Sequence, residues 1–212
     1  AILKKHDLPA DAFGLYVDEW GMWVDQDEAT DPPALYQQGS IRDAIVAGLN
    51  LNLFHAHSDV VKMTNIAQMV NVLQAMILTD GPDMVLTPTY HVFDMYQPFM
   101  GAEALEMNLQ SPDYVFEDVT VPAISASAAR TEDGRIVLAL VNASAHDDHL
   151  VDASAFGASK ATGRILQGEE MDSHNTFDAP DRVQPAPYIV DGTADDLVLS
   201  IPARSVVVVT LD

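Results

Sequence analysis

The chain has 212 residues, a formal net charge of −22 and no cysteine. An acid excess of this size repels phosphate backbones and anionic lipid, so nucleic acid and membrane surfaces are poor partners, while a neutral substrate such as a sugar is compatible with it. Without cysteine there are no disulfides and no thiolate metal sites, and a hydrophobic content of 48 % is enough for a sizeable core.

The first residues, Ala1 to Asp7, lack an initiator Met and a long apolar stretch. They do not form a secretory signal and read as the inside of a longer protein. Residues 4–13 read as a surface connection. Leu15-Tyr16-Val17 is a short β-rich run that stops at Asp18-Glu19, which places a carboxylate at a strand end. In an α/β barrel those ends carry the chemistry. Trp20 and Trp23, the two tryptophans of the chain, flank Glu19. A flat ring beside an acid suits a sugar, whose C–H faces it covers. The plainer reading is a strand-end acid beside two core tryptophans.

Residues 25–33 form an acidic loop ending in Pro33. Residues 34–57 then read as a helix, because Ile41, Ala44, Ile45, Gly48 and Leu49 follow its spacing, with Ser40 capping the main part. Two parses compete after it. Either residues 49–55 are the next strand, or the helix runs on and residues 60–67 are. The second is preferred: it brings Asn65 and Gln68 to the strand's C-terminal end, on the face of Glu19, and puts the His57-Ser58-Asp59 turn on the far side. Thr87-Pro88 opens another helix, with Thr as cap and Pro in the first turn. Tyr90 and Phe93 mark its inner face, and it ends by Pro98 or Gly101. Residues 14–101 therefore read strand, helix, strand, helix, a piece of parallel α/β architecture.

The pattern changes after Gly101. Residues 119–129 and 136–141 are strand-like and joined through an Asp133-Gly134 hairpin turn. Shorter runs follow at 149–151, 163–166, 197–201 and 205–211, as in an antiparallel sandwich. The four valines Val206 to Val209 read as a strand covered on both faces. The expected domains are thus 1–101 and 102–212.

Other clusters have plain explanations. His55 and His57 lack a third ligand at metal spacing and read as structural. His146 and His149, among acids, read as a solvated turn. Met63, Met69, Met76 and Met84 read as core filler. Asp178, Asp181 and Asp191 lack calcium-loop spacing. No metal or other cofactor is called for.

Five segments together resemble a known family. They are Val17 to Trp23 (Val-Asp-Glu-Trp-Gly-Met-Trp), residues 35–49, 57–73 and 86–93, and the closing Ile201-Pro-Ala-Arg-Ser-Val-Val-Val. This ordered set resembles the C-terminal part of the α-L-arabinofuranosidases of glycoside hydrolase family 51, most specifically over residues 14–93. The resemblance implies the last strands and helices of a (β/α)8 TIM barrel followed by an antiparallel β-sandwich. It implies release of non-reducing-end α-L-arabinofuranosyl groups from arabinoxylan and arabinan oligosaccharides, with retention of configuration. By it, Glu19 matches the nucleophile at the seventh strand's end, Gln68 a glutamine that binds the arabinose, and Trp23 an aromatic wall, with Trp20 also placed in the substrate-binding set. It further implies a homo-oligomer, and the protein is expected in the cytoplasm.

The chain departs from the complete pattern in one respect. The acid/base of the family is expected in an Asn-Glu pair on an earlier strand, and no Asn-Glu occurs here. The acid/base is therefore expected outside this chain, on the remainder of the enzyme in the same or another chain, and these residues alone should be inactive. A substitute from Asp18, Asp25, Asp27 or Glu28 is the weaker alternative. Two further readings stay open: a carbohydrate-binding or oligomerisation module without activity of its own, and a related barrel glycosidase acting on β-glucan.

Overall fold

The computed structural model describes residues 5–7, 9, 12–24 and 35–212. The acidic loop at 25–33, with Asp25, Asp27 and Glu28, and the proposed helix start at Ala34 lie outside the described residues.

Strand β1 (Leu15–Trp20) is followed by helix α1 (Ile41–Ala56) and strand β2 (Val61–Ile66). The two strands pair in parallel, Leu15 opposite Val61 and Trp20 opposite Ile66. A parallel pair joined through a helix is the βαβ unit of barrel folds. The second of the two competing parses is therefore the observed one. Helix α1 starts at Ile41 and not at residue 34, because residues 35–40 are non-helical. Ser40 and Asp43 form a capping box there, each side chain meeting the other's backbone.

A hairpin of β3 (Ile77–Asp80) and β4 (Asp83–Leu86) intervenes before helix α2 (Pro88–Met95). Thr87 caps α2 by accepting from the Tyr90 N–H at 3.4 Å. The inner face of α2 is rotated from the expected one. Val92 and Met95 are fully buried and continue into Tyr96 and Phe99, while Tyr90 and Phe93 stand half-buried at its flank.

The remaining chain builds a six-stranded antiparallel sheet in the order β12-β11-β14-β9-β8-β5. Its strands are β5 (Glu103–Leu105), β8 (Ile124–Arg130), β9 (Ile136–Asn142), β11 (Lys160–Gln167), β12 (Ala186–Asp191) and β14 (Ser205–Leu211). A second layer pairs β10 (His149–Asp152) with β13 (Val198–Ile201). The stretch read as one strand at 119–129 is two, β7 (Val119–Pro122) and β8, parted at Ala123, whose N–H donates to Pro112. Strand β7 pairs instead with β6 (Asp113–Phe116) in a hairpin that carries Tyr114, Phe116, Val119 and Val121 on one face, the last three exposed.

The valine run behaves as expected. Val206 and Val208 face α1 and α2 in one apolar cluster with Ile45, Met95 and Val141. Val207 and Val209 face β10 and β13 in another with Leu140, Leu199 and Ile201. Alternation along β14 feeds both cores, so the helical layer, the sheet and the β10–β13 pair are held by one central strand. The methionine expectation is overturned at three of its four positions, Met76 being half-buried. Met63, Met69 and Met84 are 49–65 % exposed, because the outward faces of β2, its following turn and β4 carry no covering layer among the described residues.

A buried polar cluster also seats α1 on the sheet. Asn52 Oδ1 accepts from Ser127 Oγ at 2.8 Å and from the Tyr96 hydroxyl at 2.9 Å, and its Nδ2 donates to Ser125 Oγ. The Ser127 proton is thereby committed, so Ser127 accepts from His55 Nδ1 at 2.9 Å. The His55 ring stacks on Phe99 with centroids 4.5 Å apart. His55 thus has the structural role expected of it. Burial pushes its pKa down to about 4, whereas in the unfolded chain it titrates near 6.5. Above pH 6.5 both states are neutral and the shift contributes nothing. As pH falls from 6.5 towards 4 the unfolded state takes up the proton first, and stability is lost across that window. With allowance for partial exposure the loss is on the order of 2 kcal/mol. Thermal unfolding between pH 7.5 and 4.5 should therefore show a shallower decline in His55→Gln than in the parent.

Candidate active site

The end of β1 is irregular. Val17 pairs with Thr64 and Trp20 with Ile66, so Asp18 and Glu19 together oppose the single residue Asn65. Such a bulge re-aims side chains at a strand end. Asn65 Nδ2 donates to Asp18 Oδ1 at 3.4 Å. Glu19 itself is exposed.

Trp20 is turned the other way. Its indole meets Phe54 edge-on at 5.2 Å and stacks with Phe93 at 6.1 Å, on the helical side. Trp20 nonetheless lines the same surface depression as Glu19. Trp23 is the exposed tryptophan of the pair, at 68 %.

Between the two lies Gly21 at φ +132°, where a Cβ would overlap the Gln74 side chain. Only glycine lets the backbone pass over Gln74 here. The loop that follows is pinned from below. The Met22 carbonyl accepts from Gln74 Nε2 at 2.7 Å and from Gln37 Nε2 at 3.0 Å.

At the end of β2, the Ala67 N–H donates to the Trp20 carbonyl at 3.1 Å, which ties the two strand ends together. The Ala67–Gln68 peptide is cis. The chain then folds back, the Gln74 N–H donating to the Ala67 carbonyl at 2.8 Å and the Leu73 N–H to Leu35 at 2.9 Å. Asn71 is spent on Thr79, donating to its carbonyl and hydroxyl and accepting from its N–H.

The result is a depression of about 290 Å³ lined by Glu19, Trp20, Gly21, Met22, Trp23, Ala67, Leu73 and Gln74. Of the expected site residues the structure brings Glu19, Trp20 and Trp23 together in it, with the Trp20 ring packed towards the helices and the Trp23 ring open. Gln68 is exposed and stands one residue beyond the lining. Chemically the depression offers a carboxylate and an open aromatic face. Among the described residues no group of three or more His, Asp or Glu side chains is placed to hold a metal. Sequence reasoning missed Gln37, Gln74 and Asp43, which are buried beneath the loop. Gln74 carried a signal, an amide in the uncharged run Leu73-Gln74-Ala75-Met76, since a buried amide needs partners.

Comparison with known proteins bears on this geometry. The family model described as "Alpha-L-arabinofuranosidase C-terminal domain" matches residues 18–205. An intracellular exo-α-L-arabinofuranosidase of Bacteroides ovatus is 40% identical, the alignment covering 99% of this chain and 43% of that protein. An intracellular exo-α-(1→5)-L-arabinofuranosidase of Bacillus subtilis is 28% identical over 56% of this chain and 26% of its own length. In structure, the GH51 arabinofuranosidase from Xanthomonas axonopodis pv. citri superposes with a TM-score of 0.92 at 42% identity, covering 100% of this chain and 43% of that one. The chain thus spans less than half the length of these relatives.

Proposed function

The chain belongs to the α-L-arabinofuranosidase C-terminal domain family, and from that premise we propose that it is the closing part of a retaining glycoside hydrolase of family 51. Its substrates are oligosaccharides of arabinan and arabinoxylan, from which it releases non-reducing-end α-L-arabinofuranosyl groups. The observation that carries this reading is Glu19 at a strand's C-terminal end, sharing one depression with the exposed indole of Trp23.

In the reaction, Glu19 attacks the anomeric carbon and forms a glycosyl-enzyme while a second carboxylic acid protonates the departing oxygen. That acid, then acting as base, activates the water that releases arabinose. Retention needs the two carboxyl groups roughly 5–5.5 Å apart. The second belongs to the remainder of the enzyme, since the described strands bring only one carboxylate to the depression. Trp23 covers an apolar face of the sugar and Gln68 hydrogen-bonds its hydroxyls from the rim. The barrel portion is 1–101 and the sandwich portion 102–212, with Gly101 as the junction.

The relatives from Bacteroides ovatus and Bacillus subtilis are named intracellular, and no described helix is long and apolar enough to cross a membrane. Cytoplasmic action belongs to the same proposal. So does homo-oligomer formation, which the exposed apolar face of the β6–β7 hairpin favours.

Proton NMR of the first product formed from 4-nitrophenyl α-L-arabinofuranoside by the complete enzyme tests the reading. The α-anomer appearing before mutarotation supports it. The β-anomer, or hydrolysis of β-glucan in place of the arabinoside, would contradict it.

A further inference from the structure

Gln37 sets both ends of its amide on the backbone that carries Trp23. Its Nε2 donates to the Met22 carbonyl at 3.0 Å, and its Oε1 accepts from the Val24 N–H at 3.2 Å. Those are the acceptor and donor that a neighbouring strand would engage, one residue to either side of Trp23, and the side chain stands in for that strand. Gln37 is 5 % exposed, so water competes little for either bond.

Gln74, 2 % exposed, completes the arrangement. Its Nε2 donates both to the Met22 carbonyl and, at 3.2 Å, to Asp43 Oδ1. The Met22 carbonyl thereby receives two amide N–H groups, which fills its lone pairs. Asp43 is fully buried and takes the Ser40 N–H at 2.8 Å, the Ser40 hydroxyl at 2.9 Å and Arg42 Nη2 at 3.2 Å on its other oxygen. A loop whose own indole is exposed is thus tied, through two buried amides and a buried carboxylate, to the first turn of α1.

We propose that Gln37 and Gln74 are positioning residues that hold the Trp23 indole beside Glu19, with Asp43 fixing Gln74. This rests on the reading of the Glu19–Trp23 depression as the sugar site. A ring fixed before the substrate arrives does not have to be ordered on binding. The amides act on ground-state and transition-state binding alike, so their loss shows in KM more than in kcat.

The test is a double-mutant cycle in the complete enzyme, with kcat and KM measured on 4-nitrophenyl α-L-arabinofuranoside. Gln37→Met keeps the shape of the side chain and removes both bonds. It should raise KM roughly ten-fold and leave kcat within about three-fold, with the variant's folding checked by thermal unfolding. Trp23→Ala should raise KM at least as much. The double variant should be no worse than Trp23→Ala alone, because without the indole there is nothing left to position. An unchanged KM in Gln37→Met, or effects that simply add in the double variant, would overturn the positioning role and leave the sugar site standing. An unchanged KM in Trp23→Ala would instead overturn the sugar site, and the positioning role with it. If Gln37→Met does not fold, Gln37→Asn, too short to reach both partners, carries the same expectations.

Discussion

Glu19→Ala in the complete enzyme is expected to lower kcat for 4-nitrophenyl α-L-arabinofuranoside by roughly ten-thousand-fold. Azide should restore part of the turnover. It is small enough to occupy the space vacated by the carboxylate, and attack from that face gives the β-arabinofuranosyl azide. Among the described residues Glu19 is exposed at the strand end, so its removal leaves none of their buried groups unpaired and Tm should move little. Activity lost without stability is the signature of a group that reacts. An ordinary strand-end acid would show neither the loss nor the rescue.

The largest stability effect is expected at Asp43. Its side chain is fully buried and accepts from Ser40, Arg42 and Gln74. Asp43→Ala removes the capping box and leaves the Ser40 N–H and one of the two Gln74 amide hydrogens without a partner, the other staying on the Met22 carbonyl. Loss of a cap is worth about 1 kcal/mol, and each buried donor left unsatisfied adds about 1–3 kcal/mol. The low end of that sum, about 3 kcal/mol, corresponds to a Tm lowered by roughly 6–12 °C, measured by circular dichroism or calorimetry. Asp43→Asn keeps one acceptor oxygen and should fall between the two. Because Asp43 also anchors Gln74, the folded fraction of Asp43→Asn should show a raised KM.

The parts legible in the sequence were those decided by near neighbours. The uncharged run of β1, the helical spacing of α1, the Thr87-Pro88 cap and the valine strand β14 all depend on residues a few positions apart. The misreadings came where the environment decides. Residues 35–40 carry no charge and begin with the apolar Leu35 and Tyr36, so periodicity does not reveal that Ser40 and Asp43 begin the helix. The β3–β4 hairpin turns at Gly81-Pro82, between the paired Asp80 and Asp83, and its strands are only four residues each. Trp20 and Trp23 look equivalent as a spacing. The strand ends at Trp20 and Trp23 stands in the loop beyond Gly21, so one ring packs on Phe54 and Phe93 while the other is left open.

At the site, Glu19 and Trp23 were legible because they are four residues apart on one short segment. Their support was not. Gln37, Asp43 and Gln74 meet Met22 and one another across 15, 31 and 52 residues of chain, and only the fold brings them together. A buried amide announces that it needs a partner without saying which one.

The most direct measurement is covalent trapping. A 2-deoxy-2-fluoro-α-L-arabinofuranosyl donor with a good leaving group should form the glycosyl-enzyme quickly and release it slowly, since fluorine destabilises the charge that develops in both steps. After proteolysis of the complete enzyme, mass spectrometry should find the fluoroarabinosyl adduct on the peptide containing Glu19, with fragmentation placing it on Glu19 and not on Asp18. An adduct on any other carboxylate, or an active enzyme that forms no adduct at all, would contradict Glu19 as the nucleophile.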